Sequence, residues 1–224
     1  MIVVGFYLLP CSGQFGIRAN YGLSSAPNWE VLAQNSSQFA PTNFFGGGYS
    51  LGLDYWLRLP QKRIEFYPEL RYTAYETQSQ VIALSQDVSV NSTSLGFYAN
   101  THFYVMDFLG DCDCPTFSKQ GGLFKKGFFL SLSPGVYYHK KSSDLIAGNL
   151  ESISAYLGFG LGLDIGISDL ITVTPTLQYA LGFNDSLDGA AEILGVAELQ
   201  NFETSSFRQL LFGIRIGLRP DYKN

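Results

Sequence analysis

The segment 153–167, with the sequence ISAYLGFGLGLDIGI, constrains the fold more than any other part of the chain. Its odd-numbered positions are all apolar, and its even-numbered positions are glycine, serine, tyrosine or aspartate. This period of two predicts a β-strand, because a helix would spread the same apolar side chains around its whole circumference. Soluble strands usually have about five or six residues, whereas a tilted strand needs about nine to eleven to cross a bilayer. The segment therefore predicts a transmembrane β-strand.

The composition agrees with a chain built of such strands. Of the residues, 46% are hydrophobic and 15% are charged, and the mean hydropathy is +0.08. An average near zero is expected when half of each strand faces lipid and the other half faces a polar lumen. No apolar run reaches the roughly 18 residues of a transmembrane helix. The net charge of −5 and the lack of a basic cluster argue against a nucleic-acid partner.

The same alternation recurs along the chain and predicts eight strands. Their bounds are 15–22, 47–58, 64–75, 93–108, 127–139, 153–167, 171–183 and 207–219. The connections between them are 23–45, 60–63, 76–92, 109–126, 140–150, 168–170 and 184–206. Long and tight connections alternate, as in outer-membrane barrels with long extracellular loops and short periplasmic turns. The connection 109–126 is the exception, because it is long for a periplasmic turn.

This pattern predicts an all-β chain that forms an eight-stranded antiparallel up-and-down transmembrane β-barrel over residues 14–220. A soluble calycin-like barrel is the alternative fold, and it would turn the apolar face inward and leave the glycine and arginine face in water. The unbroken rows of Leu, Phe and Tyr on one face argue against that alternative. Residues 221–224 are predicted to form a short tail.

Residues 1–13 predict a signal peptide, with cleavage near Gly13 or Gln14. A short apolar run, MIVVGFYLLP, is followed by small residues. The usual positively charged start is missing, which indicates a truncated beginning. A lipoprotein signal acylated at Cys11 is one alternative, against which the preceding Pro10 argues. A buried first strand is the other.

Three of the strands predicted to run toward the extracellular side share the pattern Pro-x-x-x-Tyr, which indicates a weak internal repeat. A proline cannot donate a ladder hydrogen bond, so each one predicts a bulge or a kink. The tyrosine four residues later is predicted to lie at the outer membrane interface. The pairs are Pro68 with Tyr72, Pro134 with Tyr138, and Pro175 with Tyr179.

The segments 66–72 (FYPELRY) and 213–219 (GIRIGLR) resemble small eight-stranded outer-membrane β-barrels. The OmpA/OmpX-like type is the most similar, specifically the outer-membrane β-barrel domain common in Bacteroidetes, and the resemblance covers residues 14–220. It implies a monomeric integral protein of the bacterial outer membrane, surrounded by outer-membrane lipids. The chain departs from that pattern at residues 220–224, where such barrels usually end on an aromatic residue.

Charged residues occupy the inward positions of the predicted strands, and their signs nearly balance. An eight-stranded barrel is just wide enough for side chains, and buried charges must be paired. We therefore predict a structural network that plugs the lumen, with Glu69 and Arg71 joined by Arg215 or Asp164. A gated ion or proton path is the alternative. The inward charges are Arg18, Asp54, Arg58, Glu65, Glu69, Arg71, Asp164, Arg215 and Arg219.

No pattern predicts a catalytic site, a metal site or a cofactor. His139 precedes Ser142, Ser143 and Asp144, which is the composition of a lipid-modifying site at the outer rim, but no motif fixes its geometry. A solvated loop is the simpler interpretation of these residues. His102 is predicted to be a lumen or interface residue with satisfied hydrogen bonds.

Cys112 and Cys114 are the cysteines that remain after removal of the signal peptide. An oxidising periplasm favours a local disulfide between them, although such a small ring is strained. Free thiols are one alternative, and redox or metal chemistry is another. Metal binding needs about four ligands, and no matching pair lies elsewhere in the chain.

Together these features favour a non-enzymatic barrel with a structural or binding role. Function on rigid scaffolds is often carried by loops, so a protein or glycan partner is expected at the extracellular loops 23–45 and 184–206 or at the periplasmic connection 109–126. A lipid-modifying outer-membrane enzyme and a narrow channel for small solutes are the alternative functions.

Overall fold

The computed structural model describes residues 14–25, 47–58, 62–81, 86–108, 123–143, 149–168, 170–186 and 204–218. Within these ranges the chain forms eight long strands and one short helix. The strands are β1 (Gln14–Ser25), β2 (Gly47–Arg58), β3 (Ile64–Val81), β4 (Gln86–Phe103), β5 (Phe128–Ser143), β6 (Asn149–Leu163), β7 (Ile171–Ser186) and β8 (Thr204–Leu218). The helix α1 (Leu123–Gly127) directly precedes β5. Two residues, Ile165–Gly166, continue β6 beyond Asp164.

The strands close into a barrel. Each strand pairs antiparallel with its neighbours in sequence, and β1 also pairs with β8. Ala19 on β1, for example, lies opposite Leu51 on β2 and opposite Ile214 on β8. The predicted eight-stranded antiparallel barrel is therefore confirmed. The described ranges contain no helix that is long and apolar enough to cross a membrane.

The apolar face of every strand points out of the barrel. Leu53 is 62% exposed and Leu161 is 45% exposed, whereas the neighbouring inward residues Asp54 and Gly162 are buried. A water-soluble barrel would have the opposite arrangement, so the calycin-like alternative is wrong. A continuous outward belt of leucine, phenylalanine and tyrosine is the surface expected of a barrel that crosses a bilayer.

Several strands continue into segments for which polar loops were predicted. β3 and β4 pair from Tyr75 opposite Ser92 up to Val81 opposite Gln86, so the predicted loop 76–92 is wrong over most of its length. β5 and β6 likewise pair through Ser142 and Asn149, inside the predicted loop 140–150. Hydrophobic alternation marks only the part of a strand that faces lipid. Backbone pairing can continue beyond it among polar residues.

The opposite end of β4 was also predicted wrongly. The alternation predicted a strand up to Phe108, but β4 ends at Phe103. Tyr104 then turns its ring fully into the barrel, and its backbone N–H donates to the carbonyl of Arg63 at 3.3 Å. The predicted tight turn after β6 lies where expected, because the Ile167 N–H donates to the Ile171 carbonyl at 3.0 Å.

Each of the three prolines interrupts the ladder on one side of its strand. The β2–β3 ladder skips the two pairs beside Pro68, the β4–β5 ladder skips those beside Pro134, and the β6–β7 ladder skips those beside Pro175. The register is the same before and after each gap, so the loss of ladder bonds is confirmed, no bulge is present at these prolines, and the predicted alternative of a kink stays a prediction. The register shift in the sheet lies instead between Gly182 and Asp185, where β7 pairs with β8.

A charge placed on the outward belt tests its contact with lipid. Leu161 lies between Leu130 and Leu177 in the belt, whereas the outward Ile153 lies near the loop end of the same strand. We expect Leu161→Arg to lower the free energy of unfolding by about 2–4 kcal/mol and Ile153→Arg by about 0–1 kcal/mol. Denaturant unfolding in lipid vesicles measures both variants. Equal losses at the two positions would contradict a membrane-embedded belt.

Candidate functional site

Two buried ion pairs occupy the middle of the lumen. Arg215 on β8 donates to both oxygens of Asp54 on β2, at 2.8 and 2.6 Å. Arg71 donates to both oxygens of Glu69 on the same strand, at 2.7 and 2.9 Å. Bidentate geometry of this kind gives strong charge-assisted hydrogen bonds. The predicted contact between Glu69 and Arg71 is therefore present, while Arg215 pairs with Asp54.

Arg18 is a third buried arginine beside these two ion pairs. It lies opposite Arg215 in the β1–β8 register, and its Nε is 3.7 Å from Glu69 Oε2. Its side chain is buried, and its Nε and Nη2 atoms make no hydrogen bond within the described part of the chain. Glu69 thus faces two guanidinium groups, of which Arg71 holds the hydrogen bonds and Arg18 contributes charge.

Inward glycines make room for these large side chains. A Cβ atom at Gly52 would lie 2.2 Å from Glu69 Oε1, and a Cβ atom at Gly16 would lie 2.4 Å from Arg215 Nη2. Contacts this short force a neighbour to move. The alternation of glycine with arginine and carboxylate on the inner face is therefore a packing requirement of a narrow lumen.

A second cluster fills the end of the lumen at which β1 begins. Glu65 Oε2 accepts hydrogen bonds from Trp56 Nε1 at 2.8 Å, from the Tyr104 hydroxyl at 3.0 Å and from the Tyr67 hydroxyl. Asp164 contacts the same Tyr104 hydroxyl and also Thr174 Oγ1. Tyr104 therefore joins two carboxyl groups from opposite sides of the barrel.

These bonds cross two of the proline gaps. Trp56 and Tyr67 face each other where the β2–β3 ladder is interrupted, and both donate to Glu65. Thr174 and Asp164 face each other where the β6–β7 ladder is interrupted, and they bond directly. Inward side chains thus link the strands where backbone hydrogen bonds are missing.

His102 lies inside the same cluster. Its ring stacks on Phe129, with centroids 3.9 Å apart and an angle of 9° between the planes. The Tyr67 ring packs on it at 4.3 Å. His102 is fully buried, so it is part of the lumen packing and not a rim residue.

A small cavity remains in the lumen toward the loop end. It is lined by hydroxyl groups and aromatic rings, including Thr73, Tyr98, Tyr156 and His139, with Arg71 at its base. It offers about 30 Å³ to the centres of water molecules, and about 10–15 Å³ holds one. The cavity therefore has room for about two or three waters.

His139 faces this lumen cavity. It is buried, and its Nε2 contacts the Oγ of Ser152, its partner across the β5–β6 pair. Ser142 lies near the strand end, opposite Asn91 and Asn149. Asp144 and the side chain of Ser143 lie outside the described residues. Within the described ranges, no group of three or more His, Cys, Asp or Glu side chains is arranged to hold a metal ion.

The predicted charge network is thus mostly placed in the lumen. Arg18, Asp54, Glu65, Glu69, Arg71, Asp164 and Arg215 are all buried on the inner face. The side chain of Arg58 lies outside the described residues, as do Arg219, Cys112 and Cys114. The disulfide and the plug function stay predictions.

The sequence interpretation missed the uncharged members of the network. Trp56, Tyr67, Asn100 and Thr174 carry many of its hydrogen bonds, and Asn100 Nδ2 donates to Glu69 Oε2 at 2.6 Å. Their inward position follows from the same alternation that located the charges. Tyr104 also has an inward position in the predicted strand 93–108, but it reaches the lumen from beyond the end of β4.

Comparison with known proteins identifies solved structures of similar fold. No family model and no curated protein matches the sequence. Among solved structures, Neisserial surface protein A is 12% identical with a TM-score of 0.43, covering 93% of this chain and 97% of its own. The Ail protein of Yersinia pestis is 10% identical with a TM-score of 0.43, covering 92% and 99%. A major outer membrane protein from Thermus thermophilus is 10% identical with a TM-score of 0.47, covering 92% and 99%.

At these values the likeness carries no statement about function. The eight-stranded architecture rests on the strand pairing of the chain itself.

The Asp54–Arg215 pair provides a test of the lumen energetics. We expect Arg215→Met to lower the free energy of unfolding by about 3–5 kcal/mol, because it leaves Asp54 as a buried charge without its bidentate partner. A second change, Asp54→Leu, should recover most of that loss, because it removes the buried charge. Urea unfolding in vesicles measures each variant.

Arg208→Met is the matched control, because Arg208 is exposed on the same strand. It should change stability by about 0.5 kcal/mol or less. A double variant as unstable as Arg215→Met alone would contradict the pairing.

Proposed function

We propose that this chain is an integral protein of a bacterial outer membrane whose plugged barrel anchors extracellular loops that bind a partner. The observation that carries the proposal is the filled lumen. The side chains of Asp54, Glu69, Arg71 and Arg215 are at most 3% exposed, and the Asp54–Arg215 pair links β2 to β8 across the inner face of β1. A barrel closed in this way conducts little, which leaves its membrane anchorage and its two ends for function.

The outward belt supports the location. Leucine, phenylalanine and tyrosine side chains cover the outer face of every strand, and the backbone is paired around the whole circumference. Closed barrels with such a belt belong to outer membranes. The N-terminal strand begins at the end with the tight turn 167–171, so that end is periplasmic and the long connections other than 109–126 are extracellular.

The placement of His139 supports a non-enzymatic role. A lipid-modifying site needs its histidine at the outer rim, within reach of lipid. His139 instead faces the lumen and contacts Ser152 from the neighbouring strand. An unchanged lipid A mass spectrum after overexpression is the outcome expected of a non-enzymatic barrel.

Planar-bilayer recordings test the plug. We expect the wild-type protein to give no steady ohmic conductance, because ion pairs and aromatic rings fill the lumen. Replacing the central pair by Glu69→Ala and Arg71→Ala should open a measurable conductance. Tyr72→Ala is the matched control, because Tyr72 lies on the same strand and faces outward. A large ohmic conductance of the wild-type protein would overturn the plugged barrel.

Gentle extraction from the native outer membrane tests the binding role. Mass spectrometry of the extracted material should identify a stoichiometric partner, and replacing residues 187–203 by a short Gly-Ser turn should remove it. A barrel that is extracted alone, with and without that segment, would contradict a loop-bound partner.

A further inference from the structure

Basic and apolar side chains lie together at the periplasmic rim of the barrel, outside the long strands. Phe124 is 68% exposed, Ile167 is 63% exposed and Met106 is 56% exposed. Lys62 and Lys125 are also exposed, and Lys125 follows Phe124 on α1. We refer to Lys62, Met106, Phe108, Phe124, Lys125 and Ile167 as the basic-apolar rim.

One half of the rim is held by a buried arginine. The Arg63 backbone N–H donates to the Phe108 carbonyl at 3.0 Å, and the Arg63 side chain pairs with Asp107. The Arg63 guanidinium also lies 4.4 Å from the ring of Tyr104. Lys62 Nζ lies 5.5 Å from the Phe108 ring, which places a cation beside an exposed aromatic. The contacts of Arg63 therefore hold this half of the rim, including the positively charged Lys62, in place.

The other half of the rim is α1, and the same buried residues connect it to the half that Arg63 holds. The Asp164 N–H donates to the Gly127 carbonyl at the end of α1, at 2.9 Å. The Asp164 carboxyl contacts the Tyr104 hydroxyl, and the Tyr104 ring lies 5.5 Å from Phe129, two residues after α1. Tyr104 thus connects both halves of the rim through their buried sides.

The charge of this surface is positive within the described residues. Asp107 is engaged by Arg63, and Asp164 is buried inside the barrel. Lys62 and Lys125 form no ion pair within the described ranges. Exposed lysines next to exposed phenylalanine, methionine and isoleucine match a bilayer interface, where phosphate groups lie above the hydrocarbon.

We propose that the basic-apolar rim binds the phosphate groups of anionic phospholipids in the periplasmic leaflet. The rim adjoins the lipid-facing belt, because Met106 lies three residues after the end of β4 at Phe103 and Phe124 lies four residues before the start of β5 at Phe128. This position favours lipid over a periplasmic protein as the occupant. The inference rests on the proposed membrane location of the barrel.

The test uses the full chain in nanodiscs that contain equal amounts of phosphatidylglycerol and phosphatidylcholine. Native mass spectrometry of the released barrel measures the ratio of the two lipids that stay bound. We expect the wild-type protein to retain an excess of phosphatidylglycerol. The double variant Lys62→Gln and Lys125→Gln should lose about fivefold of that preference for each lysine removed.

Lys140→Gln is the matched control. Lys140 is an exposed lysine at the opposite end, with Glu151 at 3.9 Å, and its removal should leave the lipid ratio unchanged. A wild-type measurement at high salt makes the test independent of folding of the variants, because screening should reduce the phosphatidylglycerol preference of an exposed site.

Different outcomes test the membrane location of the barrel and the lipid site on its rim. A chain that does not enter nanodiscs, and whose gel migration does not change on heating, would overturn the proposed membrane location. A chain that enters nanodiscs but retains the two lipids in the bulk ratio would overturn the lipid site alone. Equal lipid preference in the wild type and in the double variant would also overturn it.

Discussion

The absence of water from the bilayer interior is the constraint on which the rest of this structure depends. Every backbone N–H and C=O at that depth needs a partner, and a closed ring of paired strands supplies one. The pairing of β1 with β8 is therefore the decisive contact of the fold. Prolines break the ladder at three places, and at two of them inward polar side chains connect the separated strands.

Closure with eight strands determines what the interior can contain. The lumen is only as wide as the side chains that fill it, so glycines lie beside the bulky residues and side chains from several strands pack against each other. Arginine and carboxylate groups at this depth would be very costly alone. Arg215 pairs with Asp54 on β2 and Arg71 pairs with Glu69 on its own strand, so both carboxylates have a bidentate partner. The proposed function accordingly relies on the two ends of the barrel.

The inner and outer faces could be predicted because alternation is a local property. The predicted bounds of β2 agree with the structure, and Arg18 and Arg215 lie on the predicted inner face. The strand ends could not be predicted in the same way. β3 continues through polar residues to Val81, where no lipid demands apolar side chains, and β4 ends at Phe103 although apolar residues follow.

The sequence by itself determined which side chains face lipid and which face the lumen, and hence that the chain closes into a barrel. A period of two encodes this, and closure follows because an open sheet edge cannot lie in lipid. Only the tertiary structure decided which charges meet. Asp54 and Arg215 are 161 residues apart, and Tyr104 reaches Asp164 from outside any strand. Such contacts depend on the stagger between strands that closure of the barrel imposes, and no local sequence pattern encodes that stagger.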